Sequence, residues 1–276
     1  CVLLRCKHRL ISTIKLTSST MNYAACMVPV AAMRLEPDHR SEMVSQFLFG
    51  EYAVLHQTEK DGWVLAESKS DGYRGWCQQT HFQPITPVQY AIDPAAFAAD
   101  WVNHVDVNGR PVRVPFGSSL PVLYDEQGSL GENTIRFPGK SLDPLKAERE
   151  TETIRGLAFM YLNTAYLWGG RSVFGVDCSG FTQMIYRMMG ISLLRDAQQQ
   201  ATQGELINFL QEARCGDLAF FDDAEGRIIH VGMLLSPMEI IHASGKVRID
   251  RIDNSGIVQV DTGQRTQRLR IIRRYC

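Results

Sequence analysis

The sequence predicts an α+β protein in which two small all-β barrels precede a larger domain of helices and strands. Three features support this prediction. Short strand-like segments separated by turns occupy the first half of the chain, helical spacing of apolar residues begins after Pro144, and strand-like segments return beyond about residue 214. Helices followed by strands within one segment favour an α+β domain over a wound parallel sheet.

Residues 1–26 are expected to be a disordered extension outside the folded part. Residues 1–20 are basic and have no acidic residue, and charged side chains interrupt each stretch that could form the apolar core, about 7–15 residues long, of a secretory signal. We expect Met21 to be the natural start, with residues 1–20 as an upstream extension.

Residues 27–84 are predicted to form the first barrel. Segments rich in Val, Leu and aromatic residues alternate with turns here, and the dipeptides Asp61-Gly62 and Asp71-Gly72 are strong hairpin signals. Residues 85–144 are predicted to be a proline-containing linker followed by a second, smaller barrel. A short helix is expected over residues 95–104.

The last domain is predicted to comprise residues 145–276. Apolar residues at helical spacing predict an amphipathic helix within residues 145–165 and a second helix, which follows the loop 168–177 and ends at Gly190 as its C-terminal cap. Further along, the strand-like segments IIHVGMLL and EIIHAS are separated by a turn at Ser236 and Pro237.

Composition excludes several classes of function. A formal net charge of −1 gives no electrostatic reason to expect nucleic acid or an anionic membrane as a partner. No stretch approaches the roughly 20 apolar residues of a membrane span. The seven cysteines include no CxxC pair, so they suggest neither a zinc knuckle nor a disulfide framework. Scattered thiols and the lack of a secretory signal favour the cytoplasm.

Cys178 is the candidate nucleophile. It lies where the loop Gly175-Val176-Asp177 enters the second predicted helix, and the backbone N–H groups and helix dipole at such a position stabilise a thiolate. The thiolate is the form that attacks a carbonyl carbon. Position alone leaves a buried structural cysteine as an equal alternative.

Two histidines favour catalysis. A hairpin centred on Ser236 would place His230 and His242 on one face and in one register, with Cβ atoms about 4.5–5.5 Å apart. His242 would then hold His230 in the tautomer that a general base needs. A Cys-His-His zinc site is the alternative, but no second cysteine or carboxylate has the spacing of a fourth ligand. We expect no metal or cofactor.

Five motifs, taken together, resemble those of the NlpC-type cell-wall cysteine peptidases. They are YLWGG (166–170), DCSGF (177–181), GDL (216–218), HVGM (230–233) and IHAS (241–244), and the resemblance covers about residues 145–275. It implies a papain-like fold for this domain, with Cys178, His230 and His242 as the catalytic residues. It also implies cleavage between D-glutamate and a diamino acid in cell-wall peptides.

The first barrel resembles the bacterial SH3-like barrels that precede such domains in the murein-peptide recycling subgroup. The similarity rests on residues 34–37 (RLEP), 41–46 (SEMVSQ) and 71–76 (DGYRGW). The subgroup releases L-Ala-D-Glu from short free peptides, which implies a dipeptidyl-peptidase activity and a small murein peptide as the partner. The residues expected to bind the amino end of that peptide are Tyr166, Asp177, Ser179, Glu42 and Tyr73.

Two alternatives stay open at this point. The chain could be a non-catalytic protein that binds cell-wall peptides through a relic hydrolase domain, or an amidase or acyltransferase on the same scaffold. The intact set of Cys178, His230 and His242 argues against a relic. Asp177 also has a second expected role, as the N-terminal cap of its helix.

Overall fold

The computed structural model describes residues 22–275, and its first strand already belongs to the first barrel. The barrel is a seven-stranded antiparallel sheet in the order β3-β2-β6-β5-β4-β1-β7. Its strands are β1 (Asn22–Cys26), β2 (Val30–Arg34), β3 (Met43–Leu48), β4 (Tyr52–Thr58), β5 (Trp63–Ser68), β6 (Arg74–Gln78) and β7 (Phe82–Pro84).

The expected extension over residues 1–26 is wrong for residues 22–26. Strand β1 pairs with β4 and β7, and Ala24, Ala25 and Cys26 are buried, because this short apolar run closes the barrel between two antiparallel neighbours. Residues 1–21 lie outside the described residues, so the prediction for them stays a prediction. The two Asp-Gly hairpin signals are confirmed, since they fall between β4 and β5 and between β5 and β6.

Residues 85–144 form a helix and two further small sheets. The sheets have the strand orders β10-β9-β13-β12 and β11-β8-β14. Their elements are α1 (Pro87–Ala91), β8 (Ala96–Ala98), β9 (Val102–Val107), β10 (Arg110–Pro115), β11 (Ser119–Leu120), β12 (Gln127–Leu130), β13 (Asn133–Arg136) and β14 (Ser141–Leu142).

The helix expected over residues 95–104 is wrong, because this segment forms β8 and the start of β9. Burial alternates along β9, where Asn103 and Val105 are buried and His104 is exposed, which is the pattern of a strand with one buried face. The helix lies earlier, at α1, where the Thr86 side chain accepts a hydrogen bond from the Gln89 backbone.

The last domain combines helices with a second seven-stranded sheet, in the order β17-β23-β18-β19-β20-β21-β22, and β22 also pairs with β23. Its helices are α2 (Thr151–Phe159), α3 (Cys178–Met188) and α4 (Ala197–Gln200). Its strands are β15 (Arg171–Ser172), β16 (Gly175–Val176), β17 (Glu205–Ile207), β18 (Leu218–Asp222), β19 (Ile228–Ser236), β20 (Glu239–Ser244), β21 (Lys246–Asp253), β22 (Gly256–Val258) and β23 (Arg265–Arg274).

Helix α3 fixes the position of Cys178 because it is almost wholly buried and packs against β19 and β20. It ends near Gly190, whose φ of 72° is the left-handed conformation of a helix cap, as predicted. The α+β class is therefore confirmed. None of the helices in the described part of the chain is long and apolar enough to cross a membrane.

Buried polar contacts join the first barrel to the last domain. The guanidinium of Arg171 binds both carboxylate oxygens of Glu51, at 2.9 and 3.0 Å, and these side chains are 2% and 4% exposed. The Arg171 backbone N–H donates to Gln46, and Gln183 on α3 donates to Asp71 at 2.8 Å. The barrel is thus held directly against helix α3.

Candidate active site

Asp177 caps helix α3, so that Cys178 is the first residue of the helix. One oxygen of Asp177 accepts the backbone N–H of Gly180 at 2.6 Å and the other accepts that of Gly169 at 2.9 Å. Both interactions use N–H groups that the chain leaves free around the start of the helix. The expected capping role of Asp177 is confirmed.

The Cys178 thiol lies at this helix start and is 7% exposed. Burial, followed by the negative charge of Asp177, raises the pKa of Cys178 to about 12, although backbone N–H groups of Val231 and Ser179 lower it in part. The thiol is therefore neutral in the unliganded protein at pH 7, and a base must remove its proton before it can attack. The contact with Val231 places Cys178 beside the strand that contains His230.

His230 and His242 form a hydrogen bond of 2.8 Å between Nε2 of His230 and Nδ1 of His242. The predicted register is wrong by two residues, because His242 lies opposite Gly232 and His230 is diagonal to it. The turn consists of Pro237 and Met238, because Ser236 pairs with Glu239, and this places the centre of the hairpin beyond Ser236. The imidazoles still meet, since diagonal neighbours on one face are within reach of long side chains.

Asp250 on β21 extends this chain of hydrogen bonds and was missed in the sequence. Its Oδ2 lies 3.0 Å from Nε2 of His242, and its Oδ1 accepts from Arg248 at 2.8 Å and from the Val260 backbone at 2.9 Å. Burial alone would raise the pKa of Asp250, but the hydrogen bonds from His242 and Arg248 outweigh it and hold the pKa far below its usual range. Asp250 is therefore an acceptor.

The charge on Asp250 sets the direction of the proton donors. His242 donates from Nε2 to Asp250, so the Nδ1 of a neutral His242 accepts from Nε2–H of His230. The remaining nitrogen of His230, Nδ1, then has a free lone pair. Burial, and secondarily His242, lowers the pKa of His230 to about 3, which keeps this imidazole neutral and able to accept a proton at pH 7.

A cleft of about 480 Å³ opens beside Cys178. The five residues predicted to bind substrate, Glu42, Tyr73, Tyr166, Asp177 and Ser179, all line it together with the thiol. The first barrel supplies Glu42 and Tyr73, so the cleft lies between that barrel and the last domain. His230 and His242 are 6% and 1% exposed and are absent from this lining.

Arg195 neutralises Asp177 inside the cleft wall. Its two terminal nitrogens lie 3.1 and 2.6 Å from the carboxylate oxygens of Asp177, and it also donates to Ser179 at 3.0 Å. Its Nε donates to Ser45 of the first barrel. Asp177 is thus a fully hydrogen-bonded anchor, and its charge is already paired before any substrate amine arrives.

Two other carboxylates in the cleft are less fully compensated. Glu42 accepts a 2.6 Å hydrogen bond from the indole of Trp168. Asp196 accepts from the Tyr73 hydroxyl at 3.4 Å, and burial raises the pKa of this carboxyl despite the nearby Arg195. Burial, followed by Asp196, raises the pKa of Tyr73 to about 12, so the phenol remains a donor. The carboxylates of Glu42 and Asp196 in the lining favour a cation in the cleft.

Sequence signals for the missed residues differ. Asp250 lies two residues before the buried Ile252 on the same strand, so both side chains are on the face towards the core. An acidic residue at such a position was the feature of the sequence that could have indicated a functional role. Arg195 and Asp196 lie in a loop without a distinguishing pattern. Among residues 22–275, no group of three or more His, Cys, Asp or Glu side chains is arranged to hold a metal ion.

A cysteine at a helix start, a buried imidazole pair and an orienting carboxylate on an α+β fold define a papain-like cysteine peptidase. The NlpC/P60 family model matches residues 163–266, and the bacterial dipeptidyl-peptidase SH3 domain matches residues 33–82. A solved NlpC/P60 family protein from Bacillus cereus has the same fold, with a TM-score of 0.77 at 20% identity over 92% of this chain and 99% of that one.

Curated relatives give the same result at the level of sequence. The chain is 36% identical over 256 residues to a gamma-D-glutamyl-L-lysine dipeptidyl-peptidase of Bacillus cereus, covering 82% of this chain and 75% of the relative. It is 33% identical to the Bacillus subtilis protein of that name, over 72% and 71% of the two chains. The chain belongs to the NlpC/P60 family of cysteine peptidases, with an N-terminal bacterial SH3 domain.

Proposed function

We propose that this peptidase hydrolyses the γ-D-glutamyl bond to the diamino acid in free murein peptides and releases L-Ala-D-Glu. The observation that supports this most directly is the cleft between the first barrel and Cys178, whose lining includes the carboxylates of Glu42 and Asp196. These carboxylates fit a short peptide with a free ammonium group. The curated relatives share the corresponding name.

The proposed reaction starts when Nδ1 of His230 takes the thiol proton as Sγ of Cys178 attacks the γ-carbonyl carbon of D-glutamate. Backbone N–H groups at the start of α3 stabilise the oxyanion. His230 then returns the proton to the leaving amine, and a thioester between Cys178 and the dipeptide remains. Water, deprotonated by His230, attacks the thioester carbon, the C–S bond breaks to release L-Ala-D-Glu, and His230 returns the proton to Sγ of Cys178. His242 and Asp250 keep Nδ1 of His230 turned towards the reaction.

The free amino group is the proposed determinant of specificity. Asp177 is already paired with Arg195, so Glu42 and Asp196 are the proposed partners of the ammonium group. Tyr73 and Tyr166 supply hydroxyl groups beside them. An intact cell-wall strand, whose L-alanine amine is joined to muramic acid, lacks this charge and would meet the wall formed by the first barrel.

The test compares L-Ala-γ-D-Glu-L-Lys with its N-acetylated form, with products identified by mass. Because blocking the amine removes the positive charge that Glu42 and Asp196 would pair with, we expect kcat/KM to fall at least about a hundredfold. Cys178→Ala, the matched control, should release no dipeptide from either peptide. Similar cleavage of both peptides would contradict amine recognition, and turnover by Cys178→Ala would contradict the nucleophile.

We further propose that the enzyme acts on imported peptides in the bacterial cytoplasm, as a recycling step. Cys26, Cys77 and Cys178 are free thiols in the described part of the chain, which is consistent with a reducing compartment. Fractionation of the natural host with lysis markers tests this proposal. Recovery of the protein in a secreted or periplasmic fraction without those markers would overturn it.

A further inference from the structure

A second cavity, of about 380 Å³, lies where the three domains meet, and it shares no lining residue with the catalytic cleft. The first barrel contributes Lys69, the second barrel Phe97 and the last domain Arg187. Its volume is within the range of small-molecule sites, and such sites favour domain junctions. Nothing in the proposed peptidase reaction uses this cavity.

The lining of the cavity contains two cations, Lys69 and Arg187, and two carboxylates, Glu51 and Asp93. Glu51 is the carboxylate that pairs with two guanidinium groups, those of Arg171 and Arg187. Arg171 takes both oxygens of Glu51, so Arg187 shares an acceptor that is already occupied. Asp71 acts on Arg171 from the other side and is hydrogen-bonded to Gln183, not to Arg187.

Arg187 is held in place while retaining donors for a ligand. Its guanidinium lies 4.6 Å from the ring centroid of Phe97, and Nη2 donates to Ser119 at 2.6 Å. A guanidinium has five N–H donors, and Glu51 and Ser119 are its polar side-chain partners among residues 22–275. Burial lowers the pKa of Arg187 to about 10.

Lys69 adds a second cation to the lining. Its ammonium lies over the rings of Tyr52 and Tyr90 and donates to the Tyr90 carbonyl at 2.6 Å. Its carboxylate partner is Asp93, whose side chain is 87% exposed, and an exposed ion pair of this kind is weak. The apolar part of the lining includes Phe97, Leu145 and Ile191.

We propose that this cavity binds a small organic carboxylate, with its anionic group on Arg187 and Lys69 and its apolar part against Phe97, Leu145 and Ile191. Arg187 is on α3, the helix that begins at Cys178, so a bound carboxylate contacts the far end of the nucleophile helix. In the catalytic cleft, by contrast, Glu42 and Asp196 are the proposed partners of the ammonium group of the substrate.

The experiment is isothermal titration of the full chain with phenylacetate, with its neutral isostere phenylacetamide and with inorganic phosphate. We expect saturable binding of phenylacetate, and at least about tenfold weaker binding of the other two, because one lacks the charge and the other the apolar part. Arg187→Met should weaken phenylacetate binding at least about tenfold. Arg113→Met, at an exposed position on the second barrel, should leave it unchanged.

Leu145→Glu keeps the test decisive should Arg187→Met fail to fold. Leu145 is 92% exposed, so its replacement should not affect folding, and the new carboxylate at the cavity should repel phenylacetate and weaken binding several-fold. Three results would overturn the proposal: no saturable binding to the wild type, equal binding of phenylacetate and phenylacetamide, or displacement of phenylacetate by L-Ala-γ-D-Glu. Displacement would place the ligand in the catalytic cleft, whatever the outcome for peptide cleavage.

Discussion

The side chains of His230, His242 and Asp250 form one chain of hydrogen bonds whose direction Asp250 sets. An ionised carboxylate can only accept, so each imidazole donates towards it and Nδ1 of His230 is left as a free acceptor, the atom that we propose as the base. In a simpler triad a single polar side chain orients the histidine, whereas here His242 and Asp250 together orient His230. The roles along the chain should differ in how much activity each side chain controls.

We expect His230→Gln to lower kcat by at least about a thousandfold, because it removes the base that accepts the thiol proton. His242→Gln, which keeps a hydrogen-bonding group next to His230, should retain measurable activity. The measurement is the steady-state rate of release of L-Ala-D-Glu from the tripeptide.

Asp250→Asn adds a finer test of the same chain, since an amide can donate to Nε2 of His242 and so reverse the tautomers. We expect a loss of kcat between those of the two histidine variants. Asp253→Asn, an exposed acid further along the same strand, should behave as wild type. Equal losses for His230→Gln and His242→Gln would mean that the roles are divided differently.

Buried His230 also makes stability depend on pH. Its pKa is about 3 in the folded protein, against about 6.5 for an unfolded histidine. Between these values the unfolded chain binds a proton that the folded one does not, so the free energy of unfolding falls as the pH falls. The measurement is the free energy of unfolding in urea at pH 7 and at pH 5. We expect it to fall between these pH values by about 1–2 kcal/mol less in His230→Gln than in wild type.

The control for this pH dependence is His104→Gln, at an exposed position on β9, which should follow wild type at both pH values. Using the difference between variants removes the contribution of the carboxylates, which titrate in all of them. A His230→Gln protein with the same loss of stability as wild type would show that the folded protein accommodates protonated His230.

At the scale of elements, long periodic patterns predicted the structure well and short or irregular ones did not. The stripe of apolar residues located α3 and its end at Gly190, because a buried helix needs that spacing. The helix predicted over residues 95–104 is wrong, because β8 and the start of β9 are too short to give a clear alternation of apolar and polar residues. The predicted hairpin register is wrong because the turn lies at Pro237 and Met238, and the composition around Ser236 does not define the centre of the turn to one residue.

The stability of the protein around helix α3 should depend more on Glu51, which pairs with two arginines, than on Arg171 or Arg187 alone. Glu51→Gln leaves two buried guanidinium groups without their carboxylate and should destabilise the protein by about 3–5 kcal/mol. Arg171→Met leaves Glu51 paired with Arg187 and should cost less. The free energies of unfolding in urea provide the comparison.

Arg227→Ala is the matched control for these buried pairs, because Arg227 pairs with Asp223 while 70% exposed. It should change the free energy of unfolding by about 1 kcal/mol or less. A larger loss for Arg171→Met than for Glu51→Gln would mean that Arg187 cannot substitute for Arg171 as the partner of Glu51.

At the scale of the whole molecule, the catalytic cleft is a product of domain docking. The order of the domains and the fold class followed from the sequence, because hairpin signals and helical spacing are local. Contacts between domains were not accessible in this way. The pairing of Trp168 with Glu42 joins residues 126 positions apart, and no local pattern relates them. The resemblance to known barrels, not residue spacing, placed Glu42 and Tyr73 at the cleft.

The first barrel should therefore determine which amino ends are accepted. Glu42→Gln can still accept the indole hydrogen bond of Trp168 but removes the negative charge that the substrate ammonium would meet. We expect kcat/KM for L-Ala-γ-D-Glu-L-Lys to fall at least about tenfold, mainly through KM, because losing an ion pair to a bound charge costs at least about 1.4 kcal/mol. Cleavage of the N-acetylated peptide, which has no charge to lose, should not change.

The ratio of the two specificity constants is the decisive measurement, because a general disturbance of the cleft would lower both. Glu36→Gln, an exposed acid in the loop that precedes β3, is the matched control and should leave both constants at their wild-type values. Asp196 also contacts the ammonium group in the proposed complex. The ratio of kcat/KM for the free peptide to that for the N-acetylated peptide should therefore be smaller in Glu42→Gln than in wild type, but still above one. An equal fall for both peptides would mean that Glu42 supports the cleft through Trp168, and that the barrel encloses the substrate without reading its charge.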